Sequence, residues 1–148
     1  MTNIDQFNNL RQAILDVLIA EETTIQEAYF EQRSDFDGSP AAVVNVASNN
    51  ALYNSNKVDR LEFVFQITIY IPLKNETDSH EVETNMGRAY WEVLNMFNQR
   101  NILNPHADIV TPTPSSWGWI TAAEGIYRFS EITLRCVLFH SNTPKVGS

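Results

Sequence analysis

The chain has 148 residues, a mass of 16.9 kDa and a formal net charge of −8, with 43% apolar and 19% charged residues. That is the length of one ordinary domain with a core of its own, and the balance excludes a disordered or membrane-embedded chain. A single cysteine, Cys136, excludes an internal disulfide framework and a cysteine-based zinc knuckle, and lysines at Lys57, Lys74 and Lys145 alone disfavour a surface that grips nucleic acid.

Asn3 or Asp5 is placed to cap a first helix running to about Ala20. Its residues Phe7, Leu10, Ile14, Val17 and Leu18 recur at the spacing of one buried stripe, which Ala13, Leu15 and Ile19 widen, so the helix is expected against a sheet. Thr24 to Phe30 reads as a short strand, the turn formers from Arg33 to Pro40 follow, and a second strand is expected at about Ala42–Ser48. Asn49 to Lys57 is polar and asparagine-rich and reads as a loop, with Tyr53 in its middle as a candidate contact residue.

From Arg60 to Ile71 the residues Leu61, Phe63, Phe65, Ile67, Ile69 and Ile71 alternate with Glu62, Val64, Gln66, Thr68 and Tyr70. A period of two over that length predicts a long strand with one face in the core and one largely wet, ended by Pro72. Asp78 with Glu81 forms the pattern of a capping box. Behind it, Val82, Met86, Ala89, Tyr90, Val93, Leu94 and Phe97 make the apolar stripe of a second helix, over about 79–100. Asp108 to Thr113 fits a strand that Pro112 and Pro114 confine to an edge or an extended arm. Trp117 to Thr121, a turn over Ala122 to Gly125, and Ile126 to Phe139 then form a hairpin with a second long strand. The order predicts an α+β fold: a largely antiparallel sheet with two long strands, packed against two main helices, as a single domain over 1–139 with a loose tail over 140–148.

The charge is uneven. Residues 1–37 hold eight acids (Asp5, Asp16, Glu21, Glu22, Glu27, Glu31, Asp35, Asp37) against Arg11 and Arg33, so −6 of the −8 falls in the first quarter. The start of the chain lacks the basic stretch of a signal peptide, and no apolar run approaches the roughly 18 residues of a membrane span.

No catalytic constellation stands out. The five glycines are scattered, His80 with Glu83 fits a solvated first helical turn better than a metal pair, and Asp35-Phe-Asp37-Gly38 lacks the closing ligands of a calcium loop. Cys136 sits inside an alternating apolar face and is expected to be a buried small hydrophobe rather than a nucleophile. The sequence therefore points away from an enzyme and from any cofactor or metal. Trp117 and Trp119 flank Gly118 beside a proline-rich stretch, where they are anchors of the core or of an interface. The usual burial of tryptophan favours the core.

The pattern as a whole resembles the tail terminator (tail completion) proteins of long-tailed bacteriophages. The resemblance rests on the amphipathic first helix, the turn and strand from Asp35 to Val44, the long strand Arg60–Ile71, the helix near 79–100 and the closing strand from Tyr127, and it covers about residues 5–139. It implies a virion protein of the tail or neck, assembled in the host cytoplasm as a homohexameric ring. Such a ring caps the head-proximal end of the tail tube, stops tube polymerisation and offers a docking surface to head-completion or connector proteins. Its implied partners are other copies of itself, the tail tube protein and the connector, with DNA passing through the lumen and no membrane. An acidic lumen wall would repel phosphates, and Glu21, Glu22, Asp35 and Asp37 are the candidates for it. The alternatives are another neck component (a head–tail connector or head-closure protein), a small-ligand-binding or enzymatic α+β domain, and a monomeric adaptor anchored by the two tryptophans.

Overall fold

The computed structural model describes residues 3–20, 23–30, 39–53, 58–99, 102–122 and 125–141. Two α-helices, α1 (Asn3–Leu18) and α2 (Ser79–Asn98), pack against a five-stranded sheet of β1 (Glu27–Tyr29), β2 (Ala41–Tyr53), β3 (Val58–Leu73), β4 (Ile109–Ala122) and β5 (Gly125–Ser141). The strand order is β1-β2-β3-β5-β4; β1 runs parallel to β2, and every other pairing is antiparallel. The expected α+β class, with a largely antiparallel sheet and two main helices, is what the chain forms.

Alternation decides which way each strand faces. Phe65, Ile67 and Ile69 of β3 and Ile132, Leu134 and Cys136 of β5 are fully buried on one side, where Leu10, Ile14 and Leu18 of α1 and Met86, Ala89 and Val93 of α2 meet them. Phe7 of α1 packs on this face against Phe63 and Phe65, with ring centroids 5.5 and 6.0 Å apart. Ile19, expected to widen the stripe of α1, is instead 50% exposed, because the helix ends at Leu18 and the chain turns there. Thr23 fixes that turn by donating its hydroxyl to the carbonyls of Leu18 and Ala20 at 2.6 and 3.1 Å. Glu92 of α2 then accepts both the backbone N–H and the hydroxyl of Thr24, at 3.0 and 2.8 Å, tying the lead-in to β1 to the second helix.

Several boundaries differ from the sequence expectation. The asparagine-rich loop is not a loop up to Tyr53: Asn49, Asn50 and Ala51 pair with Phe63, Glu62 and Leu61, and Tyr53 closes β2 opposite Asp59. Strand β3 supplies a continuous ladder that overrides the poor strand propensity of asparagine. A register shift between Val46 and Ser48 absorbs one residue on the way. Pro72 does not end β3, which runs to Leu73; β2 begins at Ala41, opposite Tyr70, so Pro72 lies where β3 is itself an edge. The proline-bearing segment and the tryptophan strand are one strand, β4, at the sheet edge, with a register shift between Pro114 and Trp117. The tail was expected from residue 140, but β5 continues through His140 and Ser141; residues 142–148 lie outside the described residues.

The capping box also fails. A 3-10 turn, Glu76–Asp78, leads into α2, and Asp78 has φ −89° and ψ 0° rather than the extended backbone of a capping residue. Its carboxylate makes no cap hydrogen bond and instead accepts from Asn75 Nδ2 at 3.3 Å.

Candidate assembly surface

Strand β4 lies outermost in the sheet. Cross-strand register sets Trp117 opposite Ser130 and Trp119 opposite Arg128, which puts both tryptophans on the helix-bearing face. There α2 lies against β4 but leaves much of that strand open to solvent. Its Tyr90 is buried and meets the Trp117 ring at 4.7 Å, with Trp91 touching Tyr90 from the other side at 5.7 Å. Beyond Tyr90 the cover ends, so Trp117 is 38% exposed, Trp119 43% and Trp91 60%. The core reading of Trp117 and Trp119 is thereby corrected: both rings border the core on the outermost strand and remain partly exposed beside α2.

Arg128 organises the patch. Its guanidinium lies 5.5 Å from the Trp117 ring and 5.2 Å from the Trp119 ring, and it pairs with Glu83 of α2, Nη2 donating to Oε2 at 3.3 Å. Such cation–ring contacts hold large side chains in fixed orientations while leaving their outer faces bare. Ile126, on the same face near the hairpin end, is 43% exposed. All three tryptophans of the chain thus stand half-open around one edge. Trp91 was not singled out from sequence, although its place on the polar side of the α2 stripe, between Arg88 and Asn95, was a readable signal.

The opposite face of the sheet carries no helix among the described residues. Arg135 donates to both carboxylate oxygens of Glu62 at 2.8 and 2.9 Å, and this hydrogen bond, more than the charge attraction, raises the arginine's pKa further. Gln66 donates to Glu131 at 2.7 Å, and Tyr70 meets Tyr127 edge-on at 6.4 Å. Gly118 opposes Phe129, whose ring lies over it so closely that a Cβ would sit 2.9 Å from ring carbons. Aromatic cover of a strand glycine of this kind is a device for stiffening an edge.

Tyr53 falls in β2 rather than in a loop and lies far along the sheet from β4, so the structure does not bring it together with the tryptophans. Glu21, Glu22, Asp35 and Asp37 lie outside the described residues. Cys136 is buried, and burial pushes its thiol up to about 12. His80 and Glu83 are both exposed, and Glu83 is engaged by Arg128. Among the described residues no three histidine, cysteine or acidic side chains gather as a metal site would require, and no helix is long and apolar enough to cross a membrane.

A scan against protein families and a search of curated proteins found no match. Among the solved structures similar to it is one that aligns over 98% of this chain and 99% of its own, at 12% identity and a TM-score of 0.43. A likeness of that degree carries nothing about function.

Proposed function

We propose that the protein is a structural subunit that works by self-assembly, and that its role is that of a tail terminator in a phage neck: a ring that caps the tail tube, halts its growth and presents a surface to head-completion proteins. The observation that carries the assembly part of this reading is the half-open placement of Trp91, Trp117 and Trp119 around the β4 edge. Tryptophan beside arginine is the composition of protein–protein hot spots, and a sheet edge is where a neighbouring chain is accommodated. The phage part is supported by the order of elements described above. The mechanism needs no reactive group: the ring fits the last ring of the tube and occupies the face where the next would add. DNA crosses a lumen whose wall, in a subunit of net charge −8, repels phosphates.

Imaging particles assembled without this protein tests the role. Unjoined heads together with overlong tails are the expected result. Tails of normal length would move the protein to another neck ring, and normal infectious particles would remove it from the neck.

A further inference from the structure

The β1 edge of the sheet is held differently from the rest. β1 pairs with β2 only from Glu27 to Tyr29, against Ala41 to Val43, whereas β3 and β5 pair without a break from Val58 to Leu73. All of β1 is half-buried, and within Thr23–Phe30 Ile25 is the one buried residue. A further backbone bond ties the segment to the start of β2, Gln26 N–H donating to the Pro40 carbonyl at 2.9 Å.

A helix clasps the segment at each end. At Thr24, Glu92 of α2 receives the backbone N–H and the hydroxyl on the same oxygen, Oε1. Glu92 is half-buried, and among the described residues no cation pairs with it, so its charge is directed at Thr24 alone. Hydrogen bonds to a charged acceptor are roughly twice as strong as those between neutral groups. At the other end the Arg11 guanidinium of α1 lies 3.9 Å from the centre of the Phe30 ring. No residue of β3, β4 or β5 takes part in either clasp.

We infer that Thr23–Phe30 is a strap that opens and recloses as a unit while the rest of the sheet stays folded, and that Glu92 is the latch that sets how often it opens. A region with few buried apolar side chains and few ladder bonds opens at a smaller cost than the whole domain. Opening bares the β2 edge at Ala41 to Val44, all four of them buried while the strap is shut. Beyond them, from Asn45 to Tyr53, β2 has no outer strand among the described residues, and no residue from Ala41 to Tyr53 is charged. A long strand edge without charge is open to pairing with another strand, and the strap guards the part of it next to the core.

Native-state hydrogen exchange of the full chain, read residue by residue by NMR, tests it. In the wild type the protected amides of Gln26 to Tyr29 are expected to exchange at least about a hundredfold faster than those of the β3–β5 ladder. Glu92→Ala should speed the strap amides a further tenfold or so, because the clasp is lost when the strap opens. If that variant does not fold, Glu92→Gln replaces it; this keeps an acceptor without the charge, and an acceleration of about threefold is expected. Ile132→Val is the converse, a small loss in the middle of β5 that stays buried while the strap is open. It should speed the β3–β5 ladder about fivefold and leave the strap amides unchanged. Three results would overturn the inference. Strap amides as slow as the ladder would mean no separate opening. Strap amides that respond to Ile132→Val as the ladder does would mean that the strap opens only with the whole domain. Strap amides indifferent to the Glu92 substitution would remove the latch.

Discussion

The two faces of one sheet are held by different physics. Beneath the helices, Phe65, Ile67, Ile69, Ile132, Leu134 and Cys136 are excluded from water altogether, and their contribution is transfer free energy plus close packing. On the other face the same strands present Glu62, Gln66, Tyr70, Glu131 and Arg135, joined by diagonal hydrogen bonds and ring contacts at partial exposure. Small residues complete this face: Ala41 and Val43 are fully buried although no helix among the described residues covers them, and they lie beside the longer side chains of β3. The first face gives the chain its stability and tolerates little. The second adds modest increments, as exposed pairs do, and is free to vary in chemistry.

Measurements that sharpen the contrast can be ranked by size. The largest is chemical. With its thiol pushed up to about 12, native Cys136 should react with a thiol reagent at pH 8 at least about a hundredfold more slowly than in the unfolded chain; comparable rates would place it outside the core. The same shift has a sign for stability. The folded chain keeps this proton where the unfolded chain loses it, so the contribution is complete below about pH 9 and is lost as pH rises toward 12. Next, Phe65→Ala should destabilise by about 3–5 kcal/mol in urea unfolding, because it empties a fully buried site between α1 and the sheet.

Smaller effects belong to the edge and the helix-free face. Gly118→Ala pushes a methyl into the Phe129 ring and should cost about 1–2 kcal/mol. Adding Phe129→Ala should relieve part of that cost, so the pair would be non-additive. Gln66→Ala removes one hydrogen bond to Glu131 and should cost about 1 kcal/mol or less. A loss as large as that of Phe65→Ala would mean that this face is as essential to the fold as the other.

The covered face was legible because its residues repeat with a single period. The alternation from Leu61 to Ile71 and the stripe from Val82 to Phe97 each name one buried side, and Leu10, Ile14 and Leu18 do so for α1. Strand ends were less legible, since they depend on partners far away in sequence. Asn49 to Tyr53 pairs because β3 is long enough to receive it, and Pro72 is tolerated because β2 has not begun there. The tryptophan edge was half legible. Sequence marked Trp117 and Trp119 as anchors on an edge strand, but their exposure depends on how α2 sits against β4, which no local pattern records. Trp91 escaped because a single tryptophan on a polar stripe reads as an isolated exception until Tyr90 joins it to Trp117.

Sedimentation equilibrium of the full chain at micromolar concentration tests the central claim most directly. A single closed species several times the 16.9 kDa subunit mass, six subunits if the terminator role holds, is the result expected here. A species that stays at the subunit mass across the whole concentration range would contradict it.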